Sequence, residues 1–454
     1  MKFHSTNYNS KEVDFKTVIL QGQAFDKGLY MLNKIPKLNK KILDSLKNMD
    51  FAEIVLKIIS KFIRNIIPED KLKKLVKTAL NFKIPIEKIT NNDYLCYLDH
   101  GPTCSFKDFG ARMLAKIMEH FLEIENKKLT ILTATSGDTG GAVAHAFYEI
   151  PRINIIILYP KNEISDLQRK QMTTLGKNVI ALGINKKFDD CQNLVKIAFT
   201  DKDLQSINLS SANSINFGRL FPQTLYYFWS YSRIIERKEE EVIFSVPSGN
   251  FGNLTAGLIA KRMGLPVKRF IAAVNENDEF PKFLRAGIYK KVEPSKNCIS
   301  NAMNVGHPSN LARIFDLYGG QIDETGYVHK TPNMEEIRKD IISYSISDTA
   351  TKDTIIEFYD KYKKIIEPPG AVGWAALQIY RNNYLEQKSI KSITFETANP
   401  SKFPDEIISS INIIPEMPNS LKKIRGNKEL PNLTKIRNYQ DFKSFLLEEL
   451  SNKN

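Results

Sequence analysis

Three nearly unbroken apolar stretches dominate the middle of the chain: LTILTA (129–134), INIIILYP (153–160) and NVIALGI (178–184). Each is followed or separated by a segment with helical spacing: a helix starting near Thr139, then SDLQRKQMTTLG, then FDDCQNLVKIAFTD, before INLSSAN begins another strand. A strand that is apolar on both faces has to be covered on both faces, and helices between such strands supply the covers. This alternation therefore dictates parallel β-sheet joined by βαβ crossovers. The pattern returns after residue 218 with a helical RLFPQTLYYFWSYSRIIERK, a strand EVIFSVP (241–247), a helix NLTAGLIAKRMG and a strand RFIAAVN (269–275). Much later come a helix GAVGWAALQIYRNN and a strand SITFETA (392–398). At 454 residues the chain exceeds one ordinary core, and two α/β units side by side account for the pattern. The expected division is a mainly helical region over 1–92, α/β units over 93–218 and 219–411, and an extension over 412–454. That extension is rich in Pro and Lys, ends in the amphipathic YQDFKSFLLEEL, and is expected to pack on the surface.

The first 90 residues show helical patterns and few strands. In FAEIVLKIISKFIRNIIP, the longest apolar region, Glu53, Lys57, Lys61 and Arg64 recur at helical spacing, which makes one polar face and one buried face. No membrane partner is expected, because no apolar run is long enough to span a bilayer. The opening MKFHSTNYNSKEVDF lacks the apolar stretch of a signal peptide. Cys96, Cys104, Cys191 and Cys298 are scattered without metal-ligand spacing and read as reduced thiols of a cytoplasmic protein, with no metal expected. The net charge of +14 raises a nucleic-acid partner as a rival, but the lysines are spread along the whole chain and form no stripe. The charge suits an anionic small substrate.

Three segments carry chemistry. In LDHGPTCSFKDFGARMLAK (98–116), Lys107 stands among aromatics at a loop-to-helix junction. A lysine partly removed from water there has a lowered pKa and is a usable nucleophile or base; the alternative is an ordinary first-turn lysine. ATSGDTGGAVAHAF (134–147) and VPSGNFGNLTAGL (246–258) are glycine-rich strand-to-helix junctions. Free N–H groups and the positive end of each helix dipole face such loops, which makes both candidate anion sites. Neither has the spacing of a dinucleotide fingerprint or of a Walker A loop, and either alone can be a plain tight turn. A lysine amine together with a phosphate cradle suggests pyridoxal phosphate chemistry.

At this point a resemblance becomes specific. HGPTCSFKDFGAR resembles the cofactor-lysine segment of the threonine synthases. TILTATSGDTGGAVAHAFY, NSINFGRL, VPSGNFGNLTAGLIAKRMGLPVKRFIAAVN and ETANPSKF resemble further segments of that family, in the same order along essentially the whole chain. HSTN, AFDKGLYML and the tail resemble its longer form. The resemblance implies a fold-type II pyridoxal phosphate enzyme, an α/β architecture of two doubly wound subdomains. It implies Lys107 as Schiff-base lysine and proton shuttle, and Ser248, Gly249, Asn250, Phe251, Gly252 and Asn253 around the cofactor phosphate, although the family commonly has Asp at the position of Asn253. Thr397 would meet the pyridine nitrogen, leaving it largely unprotonated. Ser136, Gly137, Asp138 and Thr139 would bind the substrate carboxylate, with Asp138 pointing away or capping its helix. Asn213 and Ser214 would be further substrate contacts, and Arg112 and Arg169 candidates for its phosphate. His145, His100 and His307 are expected to pack or shape turns. The implied reaction converts O-phospho-L-homoserine and water to L-threonine and phosphate in a monomer or homodimer. A phospholyase and a serine/threonine dehydratase use the same fold, and a silent basic binding protein is the rival of another class.

Overall fold

The computed structural model describes residues 1–63, 65–204, 207–431 and 435–451. Arg64, read as part of a polar helix face, lies outside them.

The three apolar stretches form one parallel sheet. Its order is Val179–Ile184, Ile153–Pro160, Leu129–Ala134 and Leu209–Ser211, with Thr130 opposite Asn154 and Ile155 opposite Val179. The helices Asp138–Phe147, Asp166–Thr173 and Phe188–Thr200 are the crossovers. The second sheet has six strands in the order Ile341–Ser345, Val267–Val274, Val242–Pro247, Ser392–Glu396, Asp93–Tyr97 and Ile86–Lys88. All its pairings are parallel except the last. Asp93–Tyr97 thus belongs to the far sheet, paired with Ser392–Glu396, although 93 is where the sequence pattern opens the first α/β unit. The chain crosses from one sheet to the other through the Lys107 segment.

The N-terminal region is not purely helical. Lys2–Ser5, Val13–Asp14 and Tyr30–Leu32 make a small antiparallel sheet. The helix Phe51–Ile63 buries Ile54, Val55, Ile58, Ile59 and Phe62, as its spacing requires. These residues join a continuous core with Phe15, Phe217 and Phe221 from three separate segments. Among the described residues no helix is long and apolar enough to cross a membrane.

The tail is more than a surface appendix. Leu421 and Ile424 are buried with Cys104 and Leu167, and Phe442 and Leu446 are buried against Leu182 and Leu194 of the four-stranded layer. Both glycine-rich loops leave the C-terminal ends of central strands, Ala134 in one sheet and Pro247 in the other. Between them lies a crevice, about 870 Å³ with the open space at its mouth, where ligand sites of open parallel sheets form.

Candidate active site

Lys107 is the first residue of the helix Lys107–Glu125 and stands on the crevice wall. The turn before it is locked by Asp108, whose carboxylate accepts from Thr103 N (2.9 Å) and Thr103 Oγ1 (2.8 Å). This explains the placement raised by the sequence: the Gly-Pro-Thr turn is tied to the helix one residue past the lysine. Among the described residues the amine of Lys107 makes no ion pair within 4 Å; it lies 4.2 Å from the centre of the Phe106 ring. Burial, and secondarily the Arg219 guanidinium, push its pKa down to about 8, against the pull of Asp138.

The first glycine loop is braced from inside. Thr135 Oγ1 accepts from Gly137 N (2.9 Å) and Gly140 N (2.7 Å). Gly137 takes φ 131°, a conformation that side chains disfavour, and occupies the N-cap of Asp138–Phe147. Ser136 and Thr139 line the crevice, while Gly137 faces Gln168. Asp138 neither caps the helix nor stands free. Its Oδ1 meets Lys402 Nζ at 2.9 Å and Gln168 Nε2 at 3.2 Å, in a pair with side chains 3% and 0% exposed. A carboxylate beside an anion site is tolerable here because Lys402 neutralises it.

The second loop is a cradle of amides. Phe251 is left-handed (φ 56°) and Gly252 starts the helix Gly252–Arg262. The amides of Gly249 to Asn253 donate to no acceptor among the described residues. A side chain on Gly249 would meet Met303 Cα at 2.8 Å, so only glycine lets the chain pass there. Asn253 Oδ1 accepts from Tyr226 and Tyr227 hydroxyls, each at 2.7 Å, and its Nδ2 is buried without a partner among the described residues. An amide oxygen thus does the accepting that an aspartate would do. Ser248 is one step behind the wall, its hydroxyl donating to Val246 O. Asn250 and Ser214 serve as a clasp: Asn250 Nδ2 donates to Ser214 Oγ (3.0 Å), and Asn310 Nδ2 donates to the same oxygen (2.9 Å). Asn213 lines the crevice with Nδ2 on Ala134 O.

Thr397 reaches the crevice from the end of Ser392–Glu396. Its N and Oγ1 both donate to Glu367 Oε1, at 2.7 and 2.8 Å. Glu367 is fully buried with Glu396 and Asp99 close enough to act on it; burial, opposed by the Thr397 hydrogen bonds, raises its pKa to about 8.

Two expected phosphate ligands are engaged elsewhere in the fold. Arg112 is spent on Ala79 O (2.6 Å), Thr78 O (2.8 Å) and Asn81 Oδ1 (2.9 Å). Arg169 pairs with Glu429 (2.9 Å) and Asp166 (2.8 Å), which ties the tail to the Asp166–Thr173 helix. Neither is on the crevice wall. His145 is held well down, to about 4, chiefly by burial, which suits a packed helix residue and not a base at neutral pH. Lys402, Arg219 and Glu367 were not singled out by the sequence. Lys402 and Arg219 do stand inside the quoted segments ETANPSKF and NSINFGRL; Glu367 has no such signal.

A model of pyridoxal-phosphate dependent enzymes matches residues 85–393, and one of the threonine synthase N terminus matches residues 2–80. The threonine synthase of Buchnera aphidicola subsp. Schizaphis graminum is 40% identical over 453 residues, covering 99% of this chain and 100% of that one. The crystal structure of threonine synthase from Escherichia coli superposes with a TM-score of 0.89 at 34% identity, covering 99% of this chain and all of the other. The chain belongs to the threonine synthase family. Threonine synthase from Brucella melitensis, solved with pyridoxal phosphate bound, matches with a TM-score of 0.88 at 30% identity over 99% of both chains. The crevice fits that cofactor of the threonine synthases on its own evidence. It offers an unpaired amine for an aldehyde, a run of unsatisfied amides for a phosphate, and a buried orphan donor, Asn253 Nδ2, at the base of that run.

Proposed function

We propose that the chain is a threonine synthase, converting O-phospho-L-homoserine and water to L-threonine and phosphate. The observation that carries this reading is the placement of the Lys107 amine, unpaired and depressed to about 8, on one wall with the amide cradle and the Ser136–Thr139 loop. Lys107 would hold the cofactor's aldehyde carbon, the amides of Gly249 to Asn253 its phosphate, and Thr397 would stand at its ring nitrogen. When bound, pyridoxal phosphate supplies the electron sink that makes the substrate's Cα and Cβ hydrogens acidic.

The chain's own residues would then do the following. Ser136 and Thr139, at a helix N-terminus, hold the substrate carboxylate and fix the Cα–H toward Lys107. Freed by the incoming substrate amine, Lys107 takes the Cα proton, which its depressed pKa permits near neutrality. Loss of a Cβ proton accompanies breaking of the Cγ–O bond and departure of phosphate. Lys107 returns a proton at Cγ, water adds at Cβ, and a last proton at Cα completes threonine. The proposed location is the cytoplasm, which the four buried unpaired thiols suit.

The test is product analysis with O-phospho-L-homoserine for the wild type and Lys107→Ala. Equal amounts of threonine and phosphate, lost in the variant, are expected. A 2-oxo acid and ammonia in place of threonine would move the chain to the phospholyase reading.

A further inference from the structure

A second chamber, about 780 Å³ including its mouth, opens beside the crevice. The two share Ala134, Gln192, Asn213 and Asn250, so a ligand can lie across both. The N-terminal Thr6–Asn7 and Lys27–Leu29 and the loop at His307–Ser309, which contribute nothing to the Lys107 wall, line the chamber together with the helix Phe188–Thr200, which borders both cavities.

A phosphorylated substrate needs a cation at its far end, and the cations lining the two cavities can be taken in turn. Lys107 is the reacting amine. Arg219 is buried, donates from one nitrogen to Ala212 O at 2.7 Å, and lines the crevice but not the chamber. Lys27 is paired with Glu324 at 3.3 Å. His307 takes Tyr289 Oη at Nδ1 (2.6 Å) and is held down to about 4 by burial and by the lysines near it, so it is neutral. There remains Lys196, which has no ion pair within 4 Å and no hydrogen bond among the described residues. The residue is exposed on the chamber wall, a cation without a paired counter-charge among the described residues.

The acids facing the chamber do not fill that deficit. Glu324 is engaged by Lys27 and by Asn7 Nδ2 (3.3 Å). Asp323 is engaged by His329 (2.7 Å) and Thr325 N (2.9 Å). Asp189, which also acts on Lys196, accepts from Ser295 Oγ at 2.8 Å. Among the described residues, Gln192 on the same helix face and the Ser309 hydroxyl have no hydrogen-bond partner either, and they can complete an oxyanion's shell.

We propose that this chamber takes the phosphate end of the substrate, with Lys196 as its positioning cation. The inference rests on the threonine synthase reading and assigns the phosphate contact that Arg112 and Arg169 do not make.

The experiment compares the cofactor-loaded wild type with Lys196→Met and Lys196→Arg. Four quantities are measured: kcat and KM with O-phospho-L-homoserine, inhibition by inorganic phosphate, and binding of L-threonine followed by the absorbance of the bound cofactor. Lys196→Met is expected to raise KM and the phosphate inhibition constant roughly 10- to 100-fold, the size of one charge-assisted contact. L-Threonine, which has no phosphate, should bind as before, and Lys196→Arg should recover much of the loss. Unchanged KM and phosphate inhibition in Lys196→Met overturn the proposal. So does an equal weakening of L-threonine binding, which would mean a merely structural role. A wild type that forms no threonine instead defeats the functional reading; calorimetry with inorganic phosphate on the same two proteins then decides the chamber separately.

Discussion

Replacing Lys107 by Met should make the cofactor-free protein more stable while abolishing turnover. The lysine's pKa moves from 10.5 to about 8 because burial, then Arg219, disfavour the ammonium. At about 1.4 kcal/mol per unit, holding the charged form in place costs about 3 kcal/mol. The cation–π contact with Phe106 favours the charge by about 0.5–1 kcal/mol, too little to reverse the sign. Met keeps the apolar stem and removes the charge, so at pH 7 a gain of about 2–3 kcal/mol is expected. The pH dependence is the sharper part. Below pH 8 both folded and unfolded wild-type chains carry the proton, and the whole penalty is present. Between pH 8 and 10.5 the unfolded chain binds more protons than the folded one, so wild-type stability rises with pH and the variant's advantage shrinks toward zero. Urea titrations of both cofactor-free proteins from pH 6.5 to 10.5 measure this. A gain that is independent of pH, or a Met variant less stable at pH 7, would refute the reasoning.

Two further outcomes follow from the ion pairs. Lys402→Met leaves Asp138 as an uncompensated buried charge and should cost about 3–5 kcal/mol, whereas adding Asp138→Asn should return a good part of it; urea midpoints of the singles and the double decide, and strictly additive losses would count against the pair. Arg112→Ala and Arg169→Ala should leave KM for O-phospho-L-homoserine within about threefold of the wild type, since both side chains are tied elsewhere, while Arg169→Ala should loosen the tail and speed its proteolysis.

The sequence by itself determined the elements and the chemistry-bearing loops. The stretches 129–134, 153–160 and 178–184 could only be covered parallel strands. The glycines at 137 and 249 announced close turns, and Lys107 stood out because its neighbours were apolar. These are local facts, carried by side-chain period and by backbone freedom within a few residues. What each polar side chain meets was decided only in three dimensions. Lys402 and Asp138 are 264 positions apart and Thr397 and Glu367 are 30, yet each pair is in direct contact. Arg112 and Arg169 look free in the sequence and are bound in the fold, while Lys196 looks like any lysine of a helix and, among the described residues, is left without a partner beside the crevice. Asp93–Tyr97 joined the far sheet for the same reason. A short strand's pattern reports that it is to be buried, but the edge it pairs with depends on which neighbour the rest of the chain leaves open.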